Sequence, residues 1–260
     1  MVTVQKGGFW KRISAFLFDV ITLSIVVMGI ALLLSLAFQY DAKLTRYNEI
    51  RTEVEEEYGV SFDIHEDEYN TYDDTKKAAY DAAFDALNGN EEAVRLFSLL
   101  VNLSILIVTF SLLGGFLVIE FILPLIFKNG QTLGKKIFGL CVVRSDCVRV
   151  RGPILFVRSI LGKYAVETMI PAYVIIMILF RQGNILLLAL LVLVPLVNLI
   201  MVIATKNNCF LHDLLSMTCV ADFATQRIFE SPEDRAAFIA RKEAEEIERQ
   251  REENAFAFQK

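Results

Sequence analysis

The stretch Ile13 to Phe38, ISAFLFDVITLSIVVMGIALLLSLAF, holds a single charged residue, Asp19. A helix rises about 1.5 Å per residue and the hydrocarbon layer is about 30 Å thick, so about 20 such residues cross it. Working outward, Leu96 to Phe127 is a second apolar stretch, with one charge at Glu120, and Ile185 to Ala204 is a third with none. Ile154 to Phe180 is apolar but carries Arg158, Lys163 and Glu167. Its first half reads as an amphipathic helix at the interface, and its second half, from about Val166, as a span bending at Pro171. The fold class expected is an all-α polytopic membrane protein with about four transmembrane helices, a helical outer loop and a small cytoplasmic β-hairpin.

Composition agrees. Of 260 residues, 55% are apolar and 22% charged, and the charges crowd into residues 39–95 and 224–260. That segregation argues against a single soluble domain. A net charge of −5 offers no global basis for nucleic-acid binding. Four cysteines without close pairing do not make a disulfide scaffold.

Lysine and arginine in short flanks set orientation. Lys6, Lys11 and Arg12 precede the first span, and residues 128–153 carry six basic residues against Asp146 alone. Both flanks, and hence both termini, are expected in the cytoplasm. Residues 39–95, with 16 acidic and six basic residues, then lie outside. The N-terminal stretch is too long for the 7–15-residue core of a signal peptide and contains Asp19, so it reads as an anchor.

The chain thus divides into an N-terminus with the first span (1–38), an acidic helical loop (39–95), a second span (96–127), a basic cytoplasmic segment (128–153), an amphipathic segment with two further spans (154–204), a closing segment (205–223) and a charged helical tail (224–260). In the acidic loop, Leu44, Tyr47, Val54 and Tyr58, and then Tyr80, Ala83, Phe84 and Leu87, recur at helical spacing, with breaks at Gly59 and Asn88-Gly89-Asn90. It reads as a solvated hairpin; a cation-attracting vestibule or a partner-binding cap are the functional alternatives. Asn90 ahead of Glu91 and Glu92 marks a helix start, as does Ser231-Pro232 for the tail. The spacing of Gly130, Gly134 and Lys135 is one residue short of a phosphate loop and lacks the following Ser or Thr. Ile137 to Val143 and Val148 to Arg151, around Arg144-Ser145-Asp146, have β-type composition. They form the expected hairpin.

Charges inside apolar stretches cost roughly 2.5–3.5 kcal/mol each and need partners. Lys163 or Arg158 is expected to answer Asp19, and Arg12 to answer Asp213. His212-Asp213 near Cys209 and Cys219 lacks the convergent four-ligand spacing of a metal site. No cofactor is implied.

Three ordered segments resemble the RDD family of bacterial membrane proteins, named for an arginine and two aspartates. They are Arg12 to Asp19 (RISAFLFD), Asn129 to Gly139 (NGQTLGKKIFG, with Gly130, Thr132, Gly134 and Lys135), and His212 to Thr218 (HDLLSMT). Val157-Arg158-Ser159 also resembles a later arginine segment of the family. The resemblance covers roughly residues 8–222 and places the name-giving charges at Arg12, Asp19 and Asp213. Ser216-Met217 stands where alanine and glycine are usual, and Asn208-Cys209 where arginine and glycine often occur. It implies a bacterial cytoplasmic membrane and transport of an unidentified ion or small solute. The cost of charge inside apolar stretches makes Asp19 and Glu120 the expected proton- or cation-linked groups, with Arg12, Lys163 and Asp213 as a cytoplasmic charge network. The expected partners are the lipid bilayer, further copies of the chain and that solute. A non-enzymatic membrane scaffold recruiting partners through its acidic loop or tail is the alternative.

Overall fold

The computed structural model describes residues 3–179 and 185–257. The expected end of the third span at Phe180 and the last tail residues lie outside them. Four helices are long and apolar enough to cross a membrane: α1 (Phe9–Ala37), α5 (Glu91–Phe127), α7 (spanning length Gly152–Ile178) and α8 (Ile185–Ala204). Between α1 and α5 lie α2 (Tyr40–Tyr58), α3 (Glu66–Thr71) and α4 (Asp74–Gly89); α6 (Leu133–Ile137), α9 (Leu211–Leu215) and α10 (Pro232–Ala257) complete the helices. Strands β1 (Leu140–Arg144) and β2 (Thr218–Asp222) pair antiparallel, with Val142 opposite Val220.

The residues group into two compact units, Val27–Ser111 and the remainder. In Val27–Ser111, α2 and α4 pack around Ile50, Val54, Ala83 and Leu87, with Ala93 and Leu96. Gly59 ends α2 in the left-handed conformation (φ 64°), and the Glu55 side chain accepts from the Phe62 amide at 2.6 Å. Asn90 Oδ1 accepts from the Ala93 amide at 3.0 Å, which caps α5.

In the other unit, two spanning helices leave α geometry where their charges sit. Helix α5 is π-helical over Leu117–Ile122, around Glu120. Helix α7 is π-helical over Val157–Met169, which contains Arg158, Lys163 and Glu167. The helix continues as Ile170–Leu179, so its irregularity precedes Pro171 instead of centring there. A π turn releases carbonyls from the i→i−4 ladder. Ser159 Oγ donates to the Leu155 carbonyl at 2.6 Å and Thr168 Oγ1 to the Lys163 carbonyl at 2.9 Å.

The sheet draws its second strand from a place the local pattern does not indicate. Val148 to Arg151 follows a turn, with the Arg144 amide bonded to the Val148 carbonyl at 3.0 Å, but gives only isolated bridges, from Val143 to Arg149 and from Val148 to Phe229. The ladder goes to Thr218–Asp222 because that strand presents Cys219 and Ala221 to Cys141 and Val143 in one fully buried cluster. Burial pushes the Cys141 and Cys219 thiols up to about 12.

Met217 precedes β2 at φ 51°, in the left-handed region, with its side chain 74% exposed. A side chain there costs about 1–2 kcal/mol, partly offset by the unfolded-state entropy of glycine. Met217→Gly is therefore expected to stabilise the protein by about 0.5–1 kcal/mol, read as a rise in melting temperature in detergent.

A buried charge network as candidate functional site

Asp19 lies on α1, buried, and its carboxylate meets α6 instead of α7. Gly134 donates its amide to Oδ1 at 2.8 Å, Thr132 its hydroxyl to Oδ2, and Lys135 Nζ stands 3.4 Å away. Thr132 is also the N-cap of α6. This approach requires glycine: a Cβ on Gly134 would lie 2.3 Å from the Ala15 carbonyl oxygen. The expected partners Lys163 and Arg158 are engaged elsewhere. Lys163 Nζ donates to Glu120 Oε1 at 2.6 Å, and Arg158 Nη1 to Asp213 Oδ1 at 2.7 Å.

Arg12 does not answer Asp213. Its guanidinium donates to the backbone carbonyls of Asn208 (2.9 Å), Asn207 (3.4 Å) and Val220. The left-handed turn at Asn208 (φ 52°) leads out of α8 and leaves these carbonyls convergent, and a planar five-donor fork suits them better than an ammonium. Gly130 serves the backbone instead of the ion pairs. It sits at φ 62°, and a Cβ there would lie 2.9 Å from the Val142 Cβ.

Two further members, Glu167 and His212, were visible in the sequence as an unanswered charge and half of a doubtful metal pair. His212 Nδ1 lies 2.9 Å from Glu167 Oε2, its amide donates to Oε1 at 3.1 Å, and its Nε2 lies 3.3 Å from Arg158 Nη2. Burial, helped by Arg158, Lys163 and Lys135, holds the His212 imidazole well below its ordinary pKa. A neutral ring satisfies this geometry, with Nδ1–H donating to Glu167 and Nε2 accepting from Arg158. Burial also lowers the Lys135 ammonium, with Glu120 and Asp19 opposing. A Cβ on Gly162 would lie 2.6 Å from the His212 Cβ, so glycine permits close approach here too.

The result is a connected polar interior. Carboxylates Asp19, Glu120, Glu167 and Asp213 stand among cations Arg12, Lys135, Arg158 and Lys163, so formal charges balance. Thr218 and Ser216 extend it, with Arg158 Nη1 donating to Thr218 Oγ1 at 3.1 Å and the two hydroxyls 2.8 Å apart. Among the described residues, no group of three or more His, Cys, Asp or Glu side chains could hold a metal ion.

Apolar helices of spanning length enclosing such a network define a polytopic membrane protein with a charged interior. The model of the RDD family matches residues 6–217. The chain belongs to that family. Searches of curated proteins and of solved structures found no match.

Two tests follow from the geometry. Asp213→Ala leaves Arg158 buried without its counter-charge and is expected to cost about 3–5 kcal/mol, whereas Arg158→Met with Asp213→Leu recovers most of it; melting of the single and double variants decides. The depressed His212 pKa sets the second. The unfolded imidazole charges below about 6.5 while the folded one stays neutral, so stability is full above that pH and falls as pH drops. A loss of about 1 kcal/mol between pH 6.5 and 5.5 is expected in denaturant titrations, and His212→Asn should remove it.

Proposed function

We propose that the protein is a transporter that moves an ion or small solute across the bacterial cytoplasmic membrane, and not an enzyme. The observation that supports this most is the coincidence of buried charge with π-helical backbone in α5 and α7. Single-turn π-bulges are commonly found at functional sites, and intramembrane ionisable groups usually mark ion or substrate paths. Within the network, Asp19 is fastened by three donors, whereas Glu120 is met by Lys163 on another spanning helix. Glu120 is thus the group whose partner can change when helices shift, and we assign it the proton- or cation-linked role. Asp19, Arg12 and Asp213 hold the frame.

On this reading the basic flanks at Lys6–Arg12 and Lys128–Arg151 face the cytoplasm, both termini lie there, and residues 39–95 lie outside. Four spans leave little room for a pathway in one copy, so a homo-oligomer is part of the proposal. One observation favours the alternative of a partner-recruiting scaffold: Val27–Ser111 is a compact unit with its own apolar core and an acidic surface.

Proteoliposomes holding a pH gradient and an internal pH dye distinguish the two. Glu120→Gln is expected to reduce cation- or solute-driven dissipation of the gradient at least about tenfold in protein that still inserts and folds, with a stability cost of about 2–3 kcal/mol from the unanswered Lys163 that Glu120→Gln combined with Lys163→Met largely removes. Equal flux in native and variant protein rejects the Glu120 assignment. Native flux at the empty-vesicle level across a cation and solute screen favours the scaffold.

A further inference from the structure

We infer that the unit carrying the charge network is a tandem of two like halves, and that Glu167 does in the second half what Asp19 does in the first. Each half comprises two spanning helices, a five-residue helix and a strand: α1, α5, α6, β1, and then α7, α8, α9, β2. At a constant separation of 78 positions, as between Val142 and Val220, Lys128-Asn129 recurs as Lys206-Asn207, Leu133 as Leu211, and Cys141-Val142 as Cys219-Val220. Backbone conformation follows the same separation. Gly130 and Asn208 are left-handed (φ 62° and 52°), and so are Gly139 and Met217 (φ 65° and 51°). Phe138 and Ser216, ending the two short helices, share nearly the same dihedrals (−89°, 11° and −100°, 3°).

Strand pairing supplies an independent check. The antiparallel register is centred where Val142 faces Val220, which are each other's counterparts, as a local two-fold axis requires. Beyond the ladder the hydrogen bonds are reciprocal. The Ser145 amide donates to the Met217 carbonyl at 3.0 Å, and the Phe223 amide to the Gly139 carbonyl at 2.8 Å.

The same operation relates Gly134 to His212. The Gly134 amide donates to Asp19 on α1, and the His212 amide to Glu167 on α7. In each half a carboxylate on the first spanning helix therefore holds the second residue of the short helix. Glycine opens each contact from one side: Gly134 on the short helix in the first half, Gly162 on the spanning helix in the second. The next residue exchanges sign, Lys135 toward Asp19 against Asp213 toward Arg158. The Glu120–Lys163 pair joins α5 of one half to α7 of the other. None of this depends on what the protein transports.

Hydrogen exchange of the full chain in nanodiscs, read by mass spectrometry over 132–139 and 210–217, tests the assignment. Glu167→Ala is expected to speed exchange in 210–217 about tenfold while 132–139 keeps its native rate, and Asp19→Ala to do the reverse. Asp19→Asn and Glu167→Gln retain an acceptor oxygen for the amide, so each should give a smaller change confined to its own segment. These conservative variants decide if an alanine variant does not fold. Native exchange in 210–217 for both Glu167 variants, or parallel opening of both segments by either substitution, overturns the inference.

Discussion

A carboxylate on an apolar helix has to find hydrogen-bond donors that travel with the fold, because lipid supplies none. Asp19 meets that demand with an amide, a hydroxyl and an ammonium, all from the short helix that follows the second span. The absence of a Cβ on Gly134 makes it possible, since a methyl there would collide with the Ala15 carbonyl. Once α6 is held against α1, the chain leaving it is aimed as β1. That strand collects β2, and β2 follows the short helix whose Asp213 reaches Arg158. Each half thus has its own carboxylate holding its short helix, Asp19 in the first and Glu167 in the second, and the two meet at the strand pair.

Charge balance explains why so many ionisable groups coexist with little exposure. A buried ion pair gains little net stability over a well-packed apolar pair, but a single survivor of such a pair is costly. Natural variation that changes one member is therefore expected to change its partner as well. The neutral state of His212 follows first from its burial, with repulsion from Arg158, Lys163 and Lys135 adding to the cost of a further positive charge.

The π-helical segments tie this electrostatics to the backbone. Each widened turn frees carbonyls and rotates the following side chains relative to an α-helix. In α7 the hydroxyls of Ser159 and Thr168 take up two such carbonyls. Arg158, Lys163 and Glu167 consequently address three different partners from one short segment. A regular helix would place Lys163 and Glu167, four residues apart, on one face.

How much was legible in the residues follows from the range of each force. Burial of apolar side chains is nearly additive along the chain, so the stretches around Ile13–Phe38 and Ile185–Ala204 declare spanning helices by themselves. Capping is also local, which is why Asn90 and Ser231 mark helix starts that the hydrogen bonds display. The charged positions stood out because they break the apolar rule. Their pairing did not, and both expected partnerships, for Asp19 and for Arg12, were exchanged for others. The strand at Thr218–Asp222 was likewise masked by a nearer segment of similar composition, Val148 to Arg151. Approach distances decide such matters. They depend on a missing methyl at Gly134 or Gly162 and on left-handed turns at Asn208 and Met217, and their effect appears only when segments far apart in the chain come within hydrogen-bond reach.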